Sequence, residues 1–170
     1  MYRSVLTFWF EELTPKEWFT KDDALDETIR TRFQTLLEQA SMSECFEWRE
    51  APEGRLAEII VLDQFSRNVY RDTPKAFSQD PLALALAQEA VSLGIDRELT
   101  PMQRCFLYMP YMHSESKVIH EEAVKLFNQP GLENNYEYEI KHKEIVDRFG
   151  RYPHRNTILA EKARLRKSSF

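Results

Sequence analysis

Leu56-Ala57-Glu58-Ile59-Ile60-Val61-Leu62-Asp63-Gln64-Phe65-Ser66-Arg67-Asn68-Val69-Tyr70-Arg71 reads as a helix with charge where hydrocarbon belongs. At about 100° per residue, Leu56, Ile59 and Ile60 define one face, and both Asp63 and Arg67 fall at its centre. A charge in that position needs a partner or a ligand, because removing one member of a buried pair typically costs about 3–5 kcal/mol. The stretch therefore predicts a helix and marks where a polar site lies within the core.

Working outward, apolar residues recur at three- and four-residue spacing, and only four glycines interrupt the 170 residues. The chain reads as all-α. Expected helices are Tyr2 to Phe10, Pro15 to Phe19, Ala24 to Ala40, Gly54 to Tyr70, Pro81 to Leu93, Pro101 to Met112, Ser116 to Phe127, Asn135 to Phe149, and Asn156 to Arg166. Thr14-Pro15, Asp80-Pro81 and Thr100-Pro101 each pair a capping residue with a proline suited to the first helical position. Gly94 and Gly150 suit helix ends. Pro81 to Leu93 and Pro101 to Met112 form an expected antiparallel hairpin of the sort that helical repeats stack, although no sequence period repeats. A single domain spanning residues 1–170 is expected, since no linker or low-complexity segment divides the chain.

Composition excludes several function classes. With 30% charged residues and a mean hydropathy of −0.56, the chain is not an integral membrane protein. A net charge of −5 repels a phosphate backbone, so nucleic acid is not an expected partner. The basic residues Lys162, Arg164, Arg166 and Lys167 read as a solvated helix end. Cys45 and Cys105 form neither a CxxC pair nor a disulfide framework, which suits a reducing cytoplasm. Met1 to Phe10 is apolar but runs into Glu11 and Glu12 without a small-residue cleavage site, so it reads as a docked helix.

The angular test also places His113 on a face with Met102, Phe106 and Met109, and His142 on one with Tyr138, Ile145, Val146 and Phe149. His120 falls at the margin of its apolar face and reads as an ordinary surface histidine. A histidine on an apolar face is usually a hydrogen-bonded core residue, but four polar placements of this kind, Asp63, Arg67, His113 and His142, weaken that reading, and Asp63, Arg67, His113 and His154 are expected to share one cluster. Arg148 to Asn156 adds three arginines, a histidine and an amide around a turn fixed by Pro153, and guanidinium forks suit carboxylates and phosphates. Histidine pairs at metal-ligand spacing are missing, so no metal is expected, and no particular cofactor is indicated. Ser114 is placed to cap the following helix rather than to act as a nucleophile.

These stretches resemble the family called domain of unknown function 924, bacterial and plant proteins placed with the tetratricopeptide-like all-α folds. The resemblance runs through Val5 to Phe10, Trp18-Phe19, Ile60 to Arg71, Pro110 to Glu115 and Arg148 to Asn156. The family pattern has proline at Ser66, an acid at Ser116 and glutamine at His120, and a longer segment after the His154-Arg155-Asn156 motif. If that segment covers a pocket in the family, the resemblance implies a more open one here. It implies a tetratricopeptide-like array of antiparallel helices and carries no reaction.

The expectation is thus a buried polar pocket for a small anionic molecule. Asp63 or Glu115 would act as base and His113 or His154 as acid, and Gln64, Arg67, Asn68, His142, Arg151, Arg155 and Asn156 would bind the ligand. The competing expectation is a tetratricopeptide-like module for a peptide or protein, with the polar cluster serving as scaffold. In a third, the cluster is a purely structural core with every charge satisfied by protein groups.

Overall fold

The computed structural model describes residues 1–159, in which nine α-helices pack together and no strand occurs among the described residues. The first, α1 (Tyr2–Thr7), runs into a wider π-type turn at Phe8–Glu12, and α2 (Pro15–Trp18) follows at once. Thr14 starts α2 as expected, its backbone N–H donating to Glu17 Oε1 at 2.9 Å. Helix α3 (Asp23–Ser41) is capped by Asp22, whose carboxylate accepts from the N–H groups of Ala24 and Leu25. The stretch that opened the sequence analysis is one continuous helical rod, made of α4 (Pro52–Ile60), a π-type turn (Val61–Phe65) and α5 (Ser66–Val69).

The expected hairpin is present as α6 (Asp80–Ser92) and α7 (Pro101–His113), with Gly94 between them at φ +72. Thr100 and Gln103 form the capping box that starts α7. Asp80 departs from expectation. It lies inside α6, with Gln79 at the cap, because its carboxylate is turned onto Arg67. Helices α8 (Lys117–Phe127) and α9 (Glu133–Phe149) complete the array, and Gly150 ends α9 at φ +70. Ser116, not Ser114, caps α8 by accepting from the Ile119 N–H at 3.3 Å. The basic residues from Lys162 to Lys167, and the expected last helix beyond Leu159, lie outside the described residues.

Successive helices are neighbours, with α6 on α7, α7 on α8 and α8 on α9, while the α4 rod packs against α1, α6 and α7. One core fills the space between them. Trp9, Phe8, Phe65 and Phe106 are all buried, and Trp9 meets Phe106 edge-on with ring centroids 5.4 Å apart. Trp18 lies 4.9 Å from the same phenyl ring and donates from Nε1 to the Trp9 carbonyl at 2.8 Å, tying α2 to the core. Among the described residues, no helix is long and apolar enough to cross a membrane.

A close backbone approach occurs at the start of the rod. A Cβ on Gly54 would sit 2.0 Å from the Trp48 carbonyl oxygen, so α4 and the turn before it touch only because that atom is missing. Gly54→Ala is therefore expected to lose about 1–3 kcal/mol of stability, the usual cost of overpacking a close contact, even though alanine is the better helix former. Urea unfolding of the two proteins checks this.

Candidate functional site

The π-type turn sets the geometry at Asp63. One additional residue in the turn shifts the side chains that follow relative to a regular α-helix, and such turns occur often at functional sites. Asp63 ends fully buried, while the adjacent Gln64 lines a cavity. Asp63 Oδ1 lies 2.7 Å from His113 Nδ1 and accepts from Arg67 Nη1 at 3.1 Å, and Oδ2 accepts from Gln64 Nε2 at 3.2 Å. Burial pushes the Asp63 carboxyl up, but the His113 imidazole and the Arg67 guanidinium more than offset that and hold it below the ordinary carboxylate range.

Arg67 is satisfied from two sides. Its guanidinium reaches back to Asp63 and forks onto Asp80, with Nη1 to Oδ1 at 2.9 Å and Nη2 to Oδ2 at 3.0 Å. Arg155 approaches the same Asp80 carboxylate at 3.9 Å, and the two guanidiniums share Phe77, at 5.5 and 4.4 Å from its ring centroid. Burial first, and then repulsion from Arg67, lowers the Arg155 guanidinium. Two guanidiniums thus face the three carboxylates of Asp63, Asp80 and Glu115, and no positive charge is left over within this cluster.

Glu115 and Arg155 fasten the end of the chain to the end of α7. Glu115 Oε2 accepts from the Tyr152 N–H at 2.6 Å, and Arg155 donates to Glu115 Oε1 at 3.3 Å and to the His113 carbonyl at 3.1 Å. Behind them the phenol of buried Tyr152 donates to the Met112 carbonyl and sits 2.9 Å from His120 Nε2.

His120 corrects the sequence reading. It is fully buried, with Nε2 donating to the Ser114 carbonyl at 2.6 Å and Nδ1 at 2.6 Å from Glu139 Oε2. Burial raises the Glu139 carboxyl above its ordinary value, the nearby imidazole only partly opposing the shift. The helix's own apolar face gave no sign of this, because α9 and Tyr152 supply the surroundings. Rings of His120, His142 and His154 all lie about Tyr152, at centroid distances of 6.1, 5.5 and 5.6 Å.

A cavity of about 790 Å³ opens in front of Asp63. Its floor is apolar, made by Trp18, Phe106, Met109 and Met112. One wall carries Gln64, Arg67, Asn68, Arg71 and His113, and another carries Asn135 and His142, with Lys16 and Lys21 also in the lining. The face of α7 that placed His113 with Met102, Phe106 and Met109 in the sequence is the cavity face of that helix, not a closed core. His142 likewise looks onto space, since Tyr138 and Phe149 on its expected face are exposed and only Val146 is buried.

Each lining imidazole is held through one nitrogen. His113 Nδ1 is bound to Asp63, and His142 Nδ1 donates to the Tyr138 carbonyl at 2.7 Å. Neither Nε2 has a hydrogen-bond partner among the described residues. Asn68 Nδ2 donates to Asp26 at 2.9 Å, and Arg71 binds the same carboxylate through two nitrogens. Of the expected site residues, Gln64, Arg67, Asn68, His113 and His142 come together in the cavity lining, and Asp63 lies buried behind them, in contact with His113, Arg67 and Gln64. Glu115, His154, Arg151, Arg155 and Asn156 are not in its lining, and Arg151, His154 and Asn156 are exposed. Asp80, Arg71 and the two lysines were missed. The i, i+4 relation of Asp63 to Arg67 signalled the first pair, but nothing in the sequence tied these others to it. No group of His, Cys, Asp and Glu able to hold a metal ion occurs among the described residues.

Two outcomes are expected. Asp63→Asn should destabilise by about 1–3 kcal/mol, because Arg67 loses a buried partner, whereas His113→Gln at the cavity edge should cost less than about 1 kcal/mol. Thermal and urea unfolding compare them. Burial, with help from neighbouring imidazoles, depresses His142, so the unfolded chain takes up a proton at a higher pH than the folded one. Stability should therefore fall as pH drops through the ordinary imidazole value of about 6.5, and His142→Gln should flatten that slope.

The same helical array occurs in a protein of unknown function from Agrobacterium tumefaciens, whose solved structure superimposes with a TM-score of 0.88. It is 37% identical in sequence, and the match covers 94% of this chain and 89% of that one. No match was found among curated proteins. The family model for DUF924, bacterial proteins of unknown function, matches residues 5–168, and the chain belongs to that family.

Proposed function

We propose that the cavity binds a small amphipathic anion, a carboxylate with an aliphatic or aromatic body. One observation carries this reading: among the described residues the lining contains Lys16, Lys21, Arg67 and Arg71 and two histidines but no carboxylate, in a chain whose net charge is −5. The acids that pair with Arg67 and Arg71, namely Asp63, Asp80 and Asp26, are not in that lining, so both cations reach the cavity already compensated. Long-range attraction then falls on the two exposed lysines, Lys16 most of all, since Lys21 lies 3.8 Å from the Asp72 carboxylate. An apolar floor under a few convergent polar groups is the usual build of a small-molecule site, and about 790 Å³ lies within the range of such sites.

A second reading has one observation in its favour. Phe19, Met102 and Tyr138 around the lining are 65%, 48% and 58% exposed, a rim that suits the apolar side chain of a peptide ending in a carboxylate. On that reading the tetratricopeptide-like array is a binding module and the polar cluster its scaffold.

Octanoate separates these ideas from a closed structural core. It should raise the melting temperature at concentrations where acetate or chloride of equal ionic strength does not, by the linkage of ligand binding to folding. Lys16→Ala with Lys21→Ala should weaken octanoate at least about five-fold and leave stability without ligand unchanged within about 0.5 kcal/mol. Equal responses to octanoate and chloride would remove the anion site, and a hydrophobic peptide carboxylate binding far better than octanoate would favour the module.

A further inference from the structure

We propose that His113 is a general base that directs water onto an ester of an aliphatic or aromatic acid, making the cavity a hydrolytic site. The inference rests on the ligand-site reading above and names the chemistry done there. His113 Nδ1 lies 2.7 Å from a carboxylate with no solvent exposure, which fixes the proton on Nδ1 and leaves Nε2 as the basic nitrogen. That nitrogen has no partner among the described residues, and His113 lines the cavity. Second contacts from Arg67 and Gln64 hold the Asp63 carboxylate in place, so the imidazole is oriented before any ligand arrives.

The nucleophile comes from solvent, because among the described residues the lining offers no activated side chain. The lining thiol of Cys105 has been pushed up to about 12 by burial and accepts a hydrogen bond from Asn135 Nδ2 at 3.0 Å. The buried hydroxyl of Ser66, which has no partner among the described residues, is not part of the lining. Water therefore gives a proton to His113 Nε2 as its oxygen bonds to the ester carbonyl carbon. The carbonyl electron pair moves onto oxygen, where the guanidinium of Arg67 or the amides of Gln64 and Asn68 can receive the negative charge. Asp63 stabilises the imidazolium without taking its proton. As the tetrahedral centre collapses, the carbon–oxygen bond to the leaving group breaks and the imidazolium returns the proton to that oxygen. The products are an alcohol and a carboxylic acid, which ionises to an amphipathic anion of the class the lining fits.

Hydrolysis of p-nitrophenyl octanoate and p-nitrophenyl acetate by the purified full chain tests this, followed by release of nitrophenolate. The octanoate ester should be cleaved above the buffer rate, with kcat/KM at least about ten-fold above that of the acetate ester, and free octanoate should inhibit competitively. His113→Gln and His113→Asn should each lower kcat about 100-fold or more while the octanoate Kd stays within about three-fold of the parent. Asp63→Asn should lower kcat with KM retained, the mark of a positioning residue. Cleavage unchanged in both His113 variants overturns the proposal, since adventitious lysine chemistry would behave that way. If octanoate binds and neither ester is cleaved, hydrolysis is overturned and the binding reading stands. If octanoate neither binds nor inhibits, the binding reading falls as well.

Discussion

Taking a carboxylate out of water costs several kcal/mol unless its oxygens are met by donors, and Asp63 keeps no contact with solvent. Its two oxygens are met by an imidazole from α7, a guanidinium one helical turn further along its own rod, and the neighbouring amide. The demand spreads from there. Arg67, drawn inward by Asp63, needs more than one carboxylate oxygen and takes the Asp80 pair from the start of α6. Asp80 in turn faces Arg155, which brings Glu115 and the end of the chain into the same network. One buried charge thereby fixes the relative placement of the α4 rod, α6, α7 and the C-terminal turn.

Such an arrangement is a poor source of stability, because well-packed hydrocarbon could replace it at little cost. What it supplies is orientation. The His113 ring cannot rotate without breaking a contact to a desolvated carboxylate, and the Arg67 fork cannot leave Asp80 without stranding it. The cavity therefore has one rigid polar wall opposite an apolar floor that includes two methionines, whose side chains adapt easily to the shape of what they meet.

Much of this was legible in the sequence and some was not, for identifiable reasons. Helical spacing and caps place α3, α6 and α7 to within one or two residues, and the i, i+4 relation of Asp63 and Arg67 marks a buried pair. The same local reasoning misplaced Asp80, because aspartate before proline is an ordinary helix start and its true partner lies thirteen positions upstream. It misplaced His120 because a face is buried by what packs on it, and Glu139 and Tyr152 are distant in sequence. Nor did it show the π-type turn at Val61–Phe65, since one additional residue per turn leaves no compositional trace. Helical spacing supplied the all-α class, but the division of the polar residues between a cavity wall and a C-terminal fastening is a property of three dimensions only.

That fastening has a consequence for how the protein is made. Tyr152 and Arg155 close contacts with Met112, His113 and Glu115 across 37 to 42 residues of chain. During synthesis all of α7 is made before these two residues are joined to the chain. The nascent protein can bury its aromatic core and pair Asp63 with Arg67 and His113, yet the carbonyls at the end of α7 still lack the donors that will cover them. Completion of the polar wall therefore waits on the last stretch of the message, and a chain that stopped before Tyr152 would keep that end of α7 without its covering donors.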